Sequence, residues 1–262
     1  MNSFQTKRYL QYILKPNHFK GFGIHSPFAF NLVGNIMQQS HPYYHFKTID
    51  AWRKALKRSK EKILIDDMGA GSLITNKKIR RVSNIVKYSS LPKKYGELIF
   101  RLLCQFNSKR IVELGTSTGI STLYLALPCS KSKVVTIEGC NNIATIAAET
   151  FKTFNISNVE LLNGPFEKEF PKALNDFKEV DFIFFDGNHT KSATLNYFKE
   201  ALKFKHNNSV FIFDDIHWSK EMEEAWTIIC ANPDVTLSLD LFRLGIVFFR
   251  KECTKEHYRV RF

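Results

Sequence analysis

Residues 109–122 read KRIVELGTSTGIST, an apolar strand that runs into a glycine turn and then a helix. The next apolar strand, KVVTIEG at 133–139, ends in an acid, Glu138. Few chain architectures accommodate both features. A strand, a glycine turn, a helix and a second strand form the unit from which an open α/β sheet is wound. The glycines let the backbone approach a ligand, and a carboxylate at the tip of the second strand can accept hydrogen bonds from two ribose hydroxyls. The pattern points to a doubly wound α/β fold that grips an adenosine-type ligand.

The alternation continues downstream. Strands are expected at NVELLNG (158–164), VDFIFFDG (180–187) and SVFIFDDI (209–216), with helices between them at 143–154 and 190–204. The last two apolar runs, 235–243 and 244–251, lie too close for a crossover helix and are expected to form an antiparallel hairpin. Residues 91–106 read as the helix that leads into the first strand. The region before it reads as mainly helical, with an exposed loop at HSPF (25–28) and a second glycine run, DDMGAGS (66–72). No strand ending in an acid follows that run, so it reads as a turn. The segment after it, NKKIRRVSNIVKY, reads as a helix with Asn76 as its N-cap.

With 262 residues the chain can bury a substantial core, one α/β domain plus an extension. A hydrophobic fraction of 44% and 24 phenylalanines exclude a disordered chain. No apolar run reaches the length of a membrane span, and charges break up the N-terminus too often for a signal peptide. The five cysteines are odd in number and lack metal-ligand spacing, as expected of reduced thiols in a cytoplasmic protein. Eighteen of the 38 Lys and Arg residues, but only five of the 25 Asp and Glu, fall in residues 1–100, so the net charge of +13 belongs to that region. Such a region can meet nucleic acid, an anionic membrane or an acidic substrate; a solvated helix face is the simpler reading.

The glycine spacing narrows the ligand. A dinucleotide site uses G-x-G-x-x-G, whereas Gly115 and Gly119 are separated by Thr116, Ser117 and Thr118 and no third glycine follows. Glu113 would repel a pyrophosphate but suits a cationic amino group. The run E-L-G-T-S-T-G-I-S resembles motif I of the class I S-adenosylmethionine-dependent methyltransferases, a likeness covering about residues 92–251. It implies a seven-stranded Rossmann-like sheet, with a methyltransferase domain at 91–262 and a helical region at 1–90 serving as lid, substrate contact or homodimer contact. The resemblance also implies S-adenosylmethionine as cofactor. Glu113, Gly115, Ser117 and Gly119 would form its turn, Ser121 would meet the methionine carboxylate, and Glu138 the ribose. Asn163 and Gly164 would lie near the adenine, and Asp186 near the methionine end.

In open α/β sheets the ligand lies beyond the carboxyl ends of the strands, where Asp186, Asp214 and Asp215 fall. Three uncompensated carboxylates repel one another, and a divalent cation, Mg²⁺ first among the hard ions, would relieve them. This set resembles that of the metal-dependent O-methyltransferases of the catechol, caffeoyl-CoA and macrocin types. The run Asp186-Gly187-Asn188-His189 resembles the D-G-x-H of the macrocin branch and puts His189 where that family carries its general base. Imidazole titrates near neutrality, which suits that task. The implied reaction is methyl transfer to the hydroxyl of a small molecule, with Trp218 and Trp226 lining the acceptor pocket.

Plainer roles exist for the same residues. Asp214 or Asp215 could cap a helix near Ser219, His189 could open a helix, and His217 could be a loop histidine. Adjacent aspartates face one ion only if the strand has already ended. Two other functions compete: a nucleic-acid methyltransferase served by the basic region, and a non-catalytic binding module of the same fold. The absence of an N-P-P-Y or D-P-P-Y motif at 186–189 counts against the first. The joint presence of Glu113, Gly115, Glu138, Asp186 and His189 counts against the second.

Overall fold

The computed structural model describes residues 3–14, 18–65 and 79–262. The turn expected at 66–72 and the cap expected at Asn76 lie outside these residues. The helices are α1 (Ser3–Leu14), α2 (Pro27–Asn31), α3 (Tyr44–Leu56), α4 (Val82–Ser89), α5 (Lys93–Phe106), α6 (Ile120–Ala126), α7 (Asn141–Thr153), α8 (Phe166–Phe177), α9 (Lys191–Leu202) and α10 (Lys220–Ala231). The strands are β1 (Lys62–Leu64), β2 (Ile79–Arg81), β3 (Arg110–Leu114), β4 (Lys133–Glu138), β5 (Val159–Asn163), β6 (Val180–Phe185), β7 (Lys205–Phe213), β8 (Leu237–Asp240), β9 (Gly245–Phe248) and β10 (Glu256–Arg259). They fall into two compact units, one of Met1–Gln39 with Lys178–Phe262, the other of Ser40–Phe177.

In the unit of residues 40–177, β3, β4 and β5 lie side by side and parallel, with Glu113 opposite Thr136 and Glu138 opposite Asn163. Ile111 through Leu114 are all buried, as expected of a parallel strand covered on both faces. The helices before residue 90 share a core with those after it: Phe46 and Ile49 of α3 and Val82 and Val86 of α4 pack with Phe100, Leu123 and Tyr124. Gly96 makes the α5 contact close, since a Cβ there would overlap the Tyr124 ring. The basic residues at the end of α3 and just after it are mostly solvated, as Lys54, Lys57 and Arg58 are exposed, while Arg53 is buried. Residues 79–81 depart from the helix expected there. They form β2, antiparallel to β1, and the helix begins only at Val82, whose amide donates to Glu61 O at 3.0 Å.

In the other unit β6 and β7 are parallel, β9 runs antiparallel to β7, and β8 runs antiparallel to β9. The C-terminal hairpin is therefore as expected. Strand β10 adds itself parallel to β8, which the sequence did not suggest because EHYR has one buried residue, Tyr258, among polar ones. Residues 25–28 are not an open loop: Ser26 Oγ accepts from Ala29 N at 3.3 Å and Pro27 opens α2. Ser219, not an aspartate, caps α10 by accepting from Met222 N at 3.2 Å. The five cysteines are free, and among the described residues no helix is long and apolar enough to cross a membrane.

Gly96→Ala is expected to destabilise the protein by about 1–3 kcal/mol through overpacking against Tyr124. A lower urea midpoint at constant m-value would show it; an unchanged midpoint would mean that the ring has room to move.

Candidate active site

The glycine turn is welded to the end of β4. Gly115 N and Thr116 N both donate to Ile137 O, at 3.0 and 3.2 Å, and Gly119 N donates to Thr116 O at 2.9 Å. The backbone is left-handed at Gly115 (φ 97°), Ser117 (φ 49°) and Gly119 (φ 80°). At Gly119 a Cβ would also come 2.9 Å from the Phe151 ring, so both conformation and space call for glycine. Glu138 Oε2 accepts from Ser117 N at 2.9 Å and Oε1 from Cys140 N at 3.0 Å, which fixes the carboxylate at the strand tip. Its own carbonyl accepts from Asn163 Nδ2 at 2.8 Å and from Gly164 N at 3.0 Å. Ser117, Glu138, Asn163 and Gly164 thus form one hydrogen-bonded string. A second brace comes from α3, where Trp52 Nε1 donates to Thr150 Oγ1 at 3.1 Å and that hydroxyl donates to Thr118 O at 2.9 Å.

Glu113 lies wholly inside the protein. Its Oε2 accepts from Thr122 Oγ1 at 2.5 Å and from Thr136 Oγ1 at 2.7 Å, and Thr116 supports Thr136 at 2.6 Å. Among the described residues its Oε1 has no partner, nor have Ser117 Oγ and Thr118 Oγ1. Buried polar atoms are ordinarily paired, and three without partners among the described residues surround this one turn. Burial pushes the Glu113 carboxyl up to about 7, although the hydroxyls of Ser121, Thr122 and Thr136 pull it back. The three threonines were not foreseen from the sequence. The register of β3 against β4 is the signal that finds them, because it sets Thr136 beside Glu113.

The acids of the other unit gather as expected, but around a different partner. Strands β6 and β7 end at Phe185 and Phe213, so Asp186, Asp214 and Asp215 all lie past strand ends. Arg243, in the turn between β8 and β9, donates from Nε to Asp214 Oδ1 at 2.8 Å and from Nη2 to Asp214 Oδ2 at 2.7 Å. Its Nε is also 3.6 Å from Asp215 Oδ1. Burial opposes ionisation of Asp214, yet the guanidinium prevails and holds its carboxyl below the usual range. Burial and the neighbouring Asp214 charge push Asp186 well up and Asp215 to about 6. His189 Nε2 lies 3.7 Å from Asp186 Oδ1, beyond hydrogen-bond length. His189 precedes α9 rather than opening it, for Thr190 is the cap and accepts from Ala193 N.

A divalent ion on Asp186, Asp214 and Asp215 was expected, and the arrangement does not fit one. Both oxygens of Asp214 are engaged by Arg243. Among the described residues no three His, Cys, Asp or Glu side chains are placed to share an ion. Hard cations draw on several free carboxylate or carbonyl oxygens, and here the compensating charge is a side chain. Arg243 has no motif around it and was missed from the sequence.

His217 and Trp226 have structural roles. His217 is pinned between Glu223 Oε1 at 2.7 Å and Asp240 Oδ2 at 3.0 Å. Burial opposes its charge, but the two carboxylates raise its pKa. Arg8 extends this chain of pairs to Glu223 at 2.8 Å and Arg259 to Asp240 at 3.6 Å. Beside it lies a cavity of about 300 Å³ lined by Tyr12, His217, Trp226, Phe242 and His257, but not by Asp186 or His189. Trp226 is a core residue whose ring would be overlapped by a Cβ on Gly245, and Trp218 accepts from Gln5 Nε2 through its carbonyl.

Residues 112–216 match the family described as a methyltransferase domain. A protein of Arabidopsis thaliana named for caffeoyl-CoA O-methyltransferase is 26% identical over 146 residues, covering 53% of this chain and 62% of that one. An RNA methyltransferase of Fusobacterium nucleatum, itself uncharacterized, is 30% identical over 130 residues, covering 47% of this chain and 27% of its own length. The chain thus spans less than two thirds of the length of either curated relative. The structure of an O-methyltransferase from Bacillus cereus in complex with SAH superposes with a TM-score of 0.56 at 19% identity, covering 80% of this chain and 93% of that one. The likeness to the solved structure is one of fold, and residues 112–216 are similar to a methyltransferase domain.

Glu113 makes the ligand-free protein pH-sensitive. Its folded pKa of about 7 lies above the ordinary 4.5, so the folded chain keeps a proton that the unfolded chain has released. Stability therefore falls as pH rises from 4.5 to about 7. Glu113→Gln should lessen this slope, leaving the part that Asp186 and Asp215 contribute, and stabilise the protein at pH 8 by up to about 3 kcal/mol. Urea unfolding at pH 5 and pH 8 measures it, and an unaltered slope in the variant would show that Glu113 stays ionised throughout.

Proposed function

We propose that this chain transfers the S-methyl group of S-adenosylmethionine to a hydroxyl of a small molecule. The observation that carries this reading is Glu113 Oε1 and Ser117 Oγ, without partners among the described residues, beside the anchored Glu138 carboxylate. These residues suit the cofactor's groups in turn. A cationic amino group beside Glu113 would restore its ionised form. In this reading Ser121 takes the methionine carboxylate, Glu138 the ribose hydroxyls, and Asn163-Gly164 the adenine side. Gly115 and Gly119 let the backbone come close. The names of the Arabidopsis relative and the SAH-bound Bacillus structure support the assignment.

When bound, the cofactor supplies a methyl carbon on a sulfonium, whose sulfur keeps the electron pair of the broken C–S bond. The chain's own work is to position the acceptor and take its proton. His189 is the base: its side chain is 29% exposed and reachable, and its Nε2 lies 3.7 Å from Asp186 Oδ1. The acceptor oxygen then forms the new O–C bond. No step runs through a metal, since Asp186, Asp214 and Asp215 do not fit one.

Calorimetric titration with S-adenosylmethionine should show one-to-one binding, weakened at least about tenfold by Glu138→Ala. No binding to the wild type at millimolar cofactor would sink the reading. His189→Ala should lower kcat on a hydroxylated acceptor by about 10²-fold or more while leaving cofactor affinity unchanged. A strongly salt-dependent affinity for RNA, with no turnover of hydroxylated small molecules, would move the assignment to the activity for which the Fusobacterium relative is named.

A further inference from the structure

We propose that Arg243 is the resident cation of the Asp186–Asp214–Asp215 cluster, so that this site takes no divalent ion and any methyl transfer here is metal-independent. Its consequence for turnover rests on the methyltransferase reading; the claim about ion binding does not. Three observations carry it. The first is the fork: two parallel hydrogen bonds of 2.8 and 2.7 Å use both oxygens of Asp214, whose side chain is 0% exposed. Such bidentate, charge-assisted pairs are among the strongest polar contacts in proteins.

The second is the anchoring of the arginine. Arg243 N donates to Leu241 O at 2.9 Å, Leu241 N to Leu244 O at 2.9 Å, and Phe242 N to Asp240 Oδ1 at 2.8 Å. Ile216 N donates to Arg243 O at 3.2 Å, which ties the turn that carries the arginine to the loop that carries the aspartates. The guanidinium is held by the backbone that delivers it, and its side chain is only 26% exposed. The third is charge. Arg243 also lies 3.6 Å from Asp215, so the cation already serves two of the three acids. An entering ion would have to strip Asp214 from a buried pair and leave a guanidinium beside a second cation. Breaking buried pairs is costly enough to weaken ion binding about a hundredfold or more. Arg243 acts here as a positioning residue, holding the acids at the strand ends.

The test is a titration of the chelator-treated full chain with Mn²⁺, following the free-ion signal by electron paramagnetic resonance. Wild type should leave the free signal undiminished up to millimolar Mn²⁺. Arg243→Gln should gain one site, binding at least about a hundredfold more tightly. Arg243→Lys, which keeps a cation, should remain without one. Stoichiometric submillimolar binding by wild type, lost in Asp214→Asn, would overturn the proposal. So would a folded Arg243→Gln that still binds no ion. If Arg243→Gln does not fold, the wild-type and Arg243→Lys titrations decide between the same outcomes. Calorimetry with S-adenosylmethionine in EDTA runs alongside: cofactor binding together with stoichiometric Mn²⁺ binding overturns this inference alone, and the absence of both overturns the methyltransferase reading alone.

Discussion

The carboxylate of Glu138 is fastened on two sides by backbone amides, Ser117 from the glycine turn and Cys140 from the start of α7. Much of the geometry of its unit follows from this clamp. It requires the chain to turn left-handed at Ser117 and sets the turn against the end of β4. The Glu138 carbonyl then collects Asn163 and Gly164 from the tip of β5, so three successive strand ends meet at one residue. A surface made this way is stiff because backbone groups hold it, and backbone donors carry little conformational freedom to lose on binding. The brace from Trp52 through Thr150 to the Thr118 carbonyl extends the same stiffness to α3.

The two units bury acids by different means. Glu113 is surrounded by neutral hydroxyls, which solvate one of its oxygens while the other has no partner among the described residues, and its pKa rises to about 7. Asp214 is equally buried but meets a guanidinium, and its pKa falls. A hydroxyl offers a dipole and an arginine offers a full charge, so only the second offsets the desolvation of an ionised carboxylate. The difference bears on function. A carboxylate left short of a counter-charge is poised for a cationic ligand, whereas one already paired has no such need.

Much of this was legible in the chain. The parallel strands are nearly continuous apolar runs, and a run covered on both faces cannot be mistaken for an amphipathic helix. Gly115 and Gly119 were legible because a left-handed backbone leaves few residue choices, and at Gly119 a ring is also pressed against it. Strand β10 was not, because EHYR lacks the apolar alternation of the strands around it and takes its order from β8. Residues 79–81 read as helix because their local pattern continues into α4, and pairing with β1 overrode that pattern.

The sequence by itself determined the α/β winding, the glycine turn, the acid at the tip of β4 and the gathering of aspartates past β6 and β7. Each is a local matter: hydrophobic period, backbone freedom, and the rule that loops following parallel strands emerge at one edge of a sheet. Only the tertiary structure decided what those acids face. Asp214 and Arg243 are separated by 29 positions and come together through the return of the chain from β8 into β9. A carboxylate reads the same in sequence whether its counter-charge is an ion or a guanidinium. Which one it meets depends on distances of a few ångströms between segments that no local pattern relates.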